Sequence, residues 1–221
     1  MTFQRARSEE QREVRRRAIL DTATAMLDEM PVAEVSLNEL SRRVGLAKSN
    51  VLRYFDSREA VLLELLDASL QDWLAEVSAA LADRVDARRS VTQRAERLAE
   101  VLARSLAGRR VLCDLVGAQG GVLEHNVSVE VVVRHKRVAL ARLATAADLL
   151  RRHLPELGGE AERLFFHVLV LAGALAPYSS PPAGVRAAYE REPALAVLHL
   201  DLQDSLRSAI RTLLLGALPR T

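Results

Sequence analysis

The chain has 221 residues, 49% of them hydrophobic and 27% charged, with a formal net charge of +2. That length suffices for one small and one medium domain with a sizeable buried core. One cysteine, Cys113, excludes an intrachain disulfide framework, and with no signal peptide or apolar run of ~20 residues the expected location is the cytoplasm, with no membrane partner.

The charge is unevenly spread. Residues 1–17 carry six arginines and three glutamates, and residues 42–58 carry five basic residues against Asp56, which leaves 20 basic and 25 acidic residues elsewhere. Two basic segments on an acidic body suit an anionic partner at those segments.

Ser8 to Met30 reads as the first helix, with Ile19, Ala23, Met26 and Leu27 on its inner face and Pro31 after its end. The arm before it, with Arg5 and Arg7, has two open readings, a minor-groove contact or a solvated tail. Ser36 and Glu39 have capping-box spacing, so a second helix is expected from Leu37. Its apolar stripe is Leu37, Leu40 and Val44, and Gly45 stands where a left-handed residue ends a helix. A third helix is expected over about Lys48 to Tyr54, carrying Val51, Leu52 and Phe55 inward and leaving Lys48, Ser49, Asn50, Arg53 and Tyr54 outside. Two short helices joined by a tight turn form a helix-turn-helix, in which the second enters a major groove and the first braces it.

This segment resembles the DNA-binding domain of the TetR family of bacterial transcriptional repressors. Ser36, Glu39, Leu40, Gly45, Lys48, Tyr54, Phe55, Ser57, Arg58 and Glu59 match the family pattern or substitute conservatively. Ala47 departs from the usual Ser, Ser49 from the frequent Gly and Leu52 from the usual Tyr, whose phenol often bonds a phosphate; Asn50, Arg53 and Arg58 are the available substitutes. The resemblance implies an all-α fold, with a helix-turn-helix domain over residues 1–56 and an effector-binding and dimerisation domain over 57–221. The expected DNA contacts are Ser36, Arg43, Lys48, Ser49, Asn50, Arg53, Tyr54 and Arg58.

Ser57 caps a long helix running to about Ala82, with Leu62, Leu66, Ser69, Trp73 and Val77 along one stripe, and the resemblance gives it the role of joining the domains. A charged linker, Asp83 to Arg89, precedes a second capping box, Ser90 and Gln93. That helix ends near Ala107, a short apolar one covers Arg110 to Ala118, and Gly120 and Gly121 break the chain before a long helix ending near Leu154. Between them, Glu124, His125 and Asn126 have two readings. Either Asn126 or Ser128 caps the long helix, or the three, with Trp73, Cys113 and Gln119, border a pocket for the small-molecule effector that the resemblance implies. Cys113 reads more simply as a small core residue than as a sensor.

Leu164 to Ala176 is apolar all round except for His167, and thirteen residues are too few to span a bilayer, so both sides need protein cover. Pro177, Pro181, Pro182 and Gly184 predict an irregular connection to a final helix, about Ala194 to Leu218, with Leu195, Leu198, Leu202, Leu206, Ala209 and Leu213 as its stripe. The resemblance implies a homodimer in which these last two helices form a four-helix bundle. Phe166, Val170, Leu198, Leu202, Leu206 and Leu213 are its expected interface.

Catalysis has little support. The five histidines include no i, i+4 pair, and there is no His-Glu-x-x-His, no phosphate-binding glycine loop and no Gly-x-Ser-x-Gly. No metal, cofactor or catalytic residue is expected. The reading is a ligand-responsive repressor that binds a near-palindromic double-stranded operator as a homodimer. The alternatives are a DNA-binding protein without an effector, or an enzyme built on Glu124 and His125.

Overall fold

The computed structural model describes residues 2–219, with side chains from residue 9 onward, and the described residues are helical with no strand. They form two compact units, Met1–Asp67 with Ala118–His135, and Ala68–Gly117 with Lys136–Thr221.

In the first unit, α1 (Thr2–Glu29), α2 (Leu37–Val44), α3 (Lys48–Val51) and the start of α4 (Arg58–Arg84) enclose one core. Ile19, Ala23, Met26 and Leu27 are buried as their spacing predicts, against Leu40, Val51, Phe55 and Leu62. α1 begins earlier than Ser8 because residues 2–29 contain neither Pro nor Gly to stop it. The backbone at Arg5 and Arg7 is therefore helical, and their side chains lie outside the described residues. The Ser57 hydroxyl accepts from Ala60 N (3.2 Å) and opens α4, whose Leu62, Leu66, Trp73 and Val77 are all buried.

The second unit contains the rest of α4, α5 (Val91–Ala107), most of α6 (Arg110–Ala118), the later part of α7 (Val129–His153), α8 (Glu160–Ser179), α9 (Ala183–Arg191) and α10 (Leu202–Ala217). The capping box at α5 is complete: Ser90 Oγ accepts from Gln93 N, and Ser90 N donates to Gln93 Oε1, both at 3.3 Å. Trp73 is fully buried, stacks on Phe165 at 5.7 Å and donates from Nε1 to Ser105 Oγ (3.0 Å). Arg94 ties the end of α7 to α5 by donating to His153 O (2.8 Å) and to both carboxylate oxygens of Glu156.

Three sequence expectations are corrected here. α8 has 20 residues, long and apolar enough by length and composition to cross a membrane, whereas the apolar run alone measured thirteen. Its Leu164, Phe165, Val168 and Ala172 are buried against protein. The connection after it is not irregular throughout: Pro177 lies inside the end of α8, where it forfeits one backbone bond, and Pro182 precedes α9. The final helix does not begin at Ala194. A 3-10 segment, Pro193–Leu198, occupies that stretch, and α10 starts at Leu202 because Asp201 caps it by accepting from Asp204 N (2.7 Å). Leu195 and Leu198 are accordingly exposed, and the buried stripe of α10 is Leu206, Ile210 and Leu214.

Inside this unit α6 and α8 cross at a pair of glycines. A Cβ on Gly117 would stand 2.8 Å from Gly173 O, and one on Gly173 would stand 2.6 Å from Gly117 N, so backbone meets backbone. Gly173→Ala must push the helices apart, which should cost about 1–3 kcal/mol, the range for overpacking. A chain of this size loses about 2–4 °C of thermal midpoint per kcal/mol. An unchanged midpoint in calorimetry would show that the crossing is not this close.

Candidate nucleic-acid interface

α2 begins as its sequence indicates, with Ser36 Oγ accepting from Glu39 N (3.1 Å). The reciprocal half of the expected box does not form, because the Glu39 carboxylate turns to arginines. It accepts from Arg42 Nε (2.8 Å) and Nη2 (2.6 Å) and from Arg43 Nε (2.8 Å). These hydrogen bonds, Arg42's foremost, hold the Glu39 carboxyl down at about 2, so it stays ionised throughout the neutral range. Gly45, at φ 73°, closes α2, with Gly45 N donating to Arg42 O (3.2 Å) and Leu46 N to Ser41 O (3.0 Å). A side chain would be strained there, which is why glycine occupies the turn.

α3 is short. Only Lys48 to Val51 are regular α-helix, shorter than expected, and the chain then tightens through bonds from Arg53 N to Asn50 O (3.2 Å) and from Tyr54 N to Val51 O (2.9 Å). Ala47 stands at its N-cap and has no side chain to accept a bond, so α3 lacks the cap that a Ser would supply. Lys48, Ser49 and Arg53 are exposed, and Asn50 and Tyr54 are half-buried. Val51 and Phe55 turn inward as expected. Leu52 does not: it is 40% exposed, because Val51 and Phe55 already occupy the inward face.

Two other expected contacts are engaged inside the unit. Arg43 donates from Nη1 to Glu29 (2.7 Å) and from Nε to Glu39 (2.8 Å), which holds its guanidinium between two carboxylates. Arg58 donates from Nη1 to Val35 O (2.9 Å) and from Nε to Glu59 (3.1 Å), which makes it a strut between α4 and the segment before α2.

A residue that the spacing did not single out holds the far end of α3. Arg16, on α1, donates from Nη1 to Tyr54 O (3.0 Å), pairs with the Glu64 carboxylate of α4 and lays its guanidinium 4.4 Å above the centre of the Phe55 ring. Its partners are 38 or more residues away, so no local pattern marks it.

The six residues expected at an effector pocket are divided between the units. Trp73 and Cys113 are fully buried in the second. Burial, with the charge of Asp114, pushes the Cys113 thiol up to about 11, and its Sγ donates to Leu106 O (3.4 Å), as suits a core residue. Gln119, Glu124, His125 and Asn126 lie in the first, where His125 and Asn126 are exposed. Ser128 caps α7 by accepting from Val131 N (3.3 Å) and also donates to Asp56 Oδ2 (3.2 Å). Gln119 opens a π-helical turn, Gln119–Leu123, and its Nε2 donates to Glu124 Oε1 (2.7 Å) and faces His135 Nε2 (3.1 Å). Nδ1 of the buried His135 lies 2.9 Å from Asp67 Oδ1, off the axis of a hydrogen bond. His135 is the second residue that the sequence did not mark.

In the second unit, an open cleft of about 630 Å³ is lined by Arg84, Arg89, Arg94, Arg97, Arg207 and Arg211. Each pairs with a carboxylate, at distances from 2.5 Å (Arg94–Glu156) to 4.0 Å (Arg84–Asp83), so the lining is polar and internally compensated. Among the expected interface residues, Phe166 (55%), Val170 (48%) and Leu198 (59%) are exposed, while Leu202 and Leu213 are half-buried. Leu206 is corrected: it is fully buried in the chain's own core and has no free face to offer.

A capped brace helix, a left-handed glycine turn and a short polar helix on a three-helix core define a helix-turn-helix DNA-binding protein. Residues 19–65 match the family described as bacterial regulatory proteins, tetR family, and residues 67–221 match the tetracyclin repressor-like, C-terminal domain. The chain belongs to the TetR family and is a transcriptional regulator with a helix-turn-helix DNA-binding domain. The transcriptional regulator EthR of Mycobacterium tuberculosis is 44% identical over 50 residues, 23% of each chain, and that of Mycolicibacterium smegmatis is 42% identical over 53 residues, 24% of each. The match thus spans about a quarter of the length of these curated relatives. The fatty acid degradation regulator FadR of Bacillus halodurans superposes with a TM-score of 0.53 at 14% identity, covering 91% of this chain and 98% of that one. A tetR family transcription regulator from Shewanella sp. PV-4 gives 0.52 at 18%, covering 94% and 99%. At these identities the two structures share the fold.

Arg16→Lys keeps the charge but cannot hold Tyr54 O and Glu64 in one planar fork. Loss of hydrogen bonds to a charged group costs about 1.5–3 kcal/mol each, so denaturant unfolding should shift to lower midpoint and DNA affinity should fall. Wild-type midpoint and affinity together would remove Arg16 from this role.

Proposed function

We propose that the protein is a cytoplasmic, ligand-responsive repressor that binds a near-palindromic operator as a homodimer. The observation that carries the DNA-reading part is the outward strip Lys48, Ser49, Asn50, Arg53 and Tyr54 on a short helix braced by α2. Lys48 and Arg53 can neutralise phosphates, and Ser49, Asn50 and Tyr54 can bond phosphates or base edges. Ser36 lies exposed at the N-cap of α2, and Arg43, held between Glu29 and Glu39, can add a contact through Nη2. Arg58 acts through the fold, as a strut.

Dimerisation is supported by an apolar stripe on α8 that its own chain leaves exposed. Phe166, Val170, Ala174 and Tyr178 recur at every fourth residue, on the side opposite Phe165 and Val168. On α10, Ser205, Ala209 and Leu213 form a half-buried row of small and apolar residues suited to helix packing. A two-fold dimer would present α3 twice, at half-sites one helical turn or about 34–36 Å apart. Phe166→Glu, at an exposed position, should leave the fold intact and yield monomers in sedimentation. A dimer of wild-type mass would exclude this face.

Ligand response is supported by the polar path in the first unit. Asp67 on α4, His135 on α7 and Gln119 with Glu124 between them meet through contacts of 2.7 to 3.1 Å, and Ser128 reaches Asp56 at the end of the helix-turn-helix. An effector that favours one arrangement of this path would change DNA affinity by no more than its own differential affinity for the two states.

Selection of duplexes from a randomised pool tests the reading. The wild-type protein should enrich a near-palindrome. Lys48→Ala should bind it more weakly, with a salt slope reduced by about 1 if Lys48 neutralises a phosphate. Enrichment of no sequence at modest salt would refute the operator-binding reading.

A further inference from the structure

We infer that Leu52 reads thymine, through van der Waals contact with the C5-methyl group, at one base pair of each half-site; the inference rests on the operator-binding reading above. Leu52 is 40% exposed, while its neighbours Val51 and Phe55 are buried, so the helix aims it outward. It is at the C-cap of α3 with helical backbone angles (φ −65°, ψ −10°), three residues after Ser49 and four after Lys48. On a helix those spacings place it on the same face as Ser49 and Lys48.

The exposed side chains around it, Lys48, Ser49 and Arg53, carry polar or charged ends that phosphates and base edges can satisfy. Leu52 can donate and accept nothing. In a major groove the base-edge group that rewards an aliphatic side chain is the methyl of thymine, absent from cytosine and from the purines. Contact with that methyl buries apolar surface on both partners. One hydrogen-bond-free position in an otherwise polar strip therefore gives a base preference that phosphate contacts cannot give.

The test replaces each thymine of the selected palindrome, in both half-sites, with deoxyuridine, which removes the methyl and leaves every hydrogen-bonding group in place. One buried carbon is worth about 0.8 kcal/mol, which is about fourfold in affinity per half-site and about fifteenfold for the pair. The expected result is one symmetry-related thymine pair whose substitution weakens the wild-type protein by this factor. Leu52→Ala, at an exposed position, should bind the thymine duplex more weakly and be indifferent to that substitution. Circular dichroism checks that the variant keeps its helices.

The inference is overturned if every deoxyuridine substitution is tolerated, if wild type and Leu52→Ala lose affinity equally, or if the selected half-sites lack thymine. Any of these can occur while the palindrome is still bound, which leaves the operator-binding reading standing. Enrichment of no palindrome overturns both.

Discussion

The second helix of the helix-turn-helix, α3, is held at its C-terminal end by one guanidinium. α3 has a single regular turn and an alanine where a capping hydroxyl would stabilise its start, so its own backbone bonds are a weak source of order. Arg16 supplies what the helix lacks. By joining Tyr54 O, the Phe55 ring and Glu64 it fixes the exit of α3 against both α1 and α4. The burial of Val51 and Phe55 sets which face looks inward, and Arg16 sets where that face stops. The outward direction of Lys48, Ser49, Leu52 and Arg53 follows from these two constraints.

Charge around the interface is arranged in the same economical way. Of the five basic residues between 42 and 58, Arg42 and Arg43 are engaged by Glu39, and Arg58 by Val35 O and Glu59. Lys48 and Arg53 stand exposed, on α3 and just after it. A count of charge in this segment therefore overstates the number of side chains ready for phosphate.

What the sequence disclosed and what it hid divide along the range of the interactions. The helix-turn-helix was legible because its determinants are local: Ser36 three residues before Glu39, Gly45 at the turn, and the alternation of Val51 and Phe55 with polar neighbours. The α5 capping box at Ser90 and Gln93 was legible for the same reason. The start of α10 misleads because the leucine spacing extends back through Leu198 and Leu195, while the Asp201 cap and the 3-10 segment before it interrupt the helix. The sequence places Leu52 inward because an apolar residue usually is. Its exposure depends on Val51 and Phe55 filling the core first. Arg16 and His135 act through partners far along the chain, at Tyr54, Glu64, Asp67 and Gln119, and such contacts leave no periodic trace.

The glycine crossing of α6 and α8 also limits how those helices can move. Where Gly117 and Gly173 touch, the axes are closer than side-chain-bearing residues allow. A slide of one turn would bring Cys113 or Asp114 against Gly173, or Leu169 or Ala176 against Gly117, and each carries a Cβ that the gap will not admit. Translation along the axes is thereby barred, whereas rotation about the point of contact keeps the two glycines in register. The contact thus fixes the register of α6 on α8 as well as their separation.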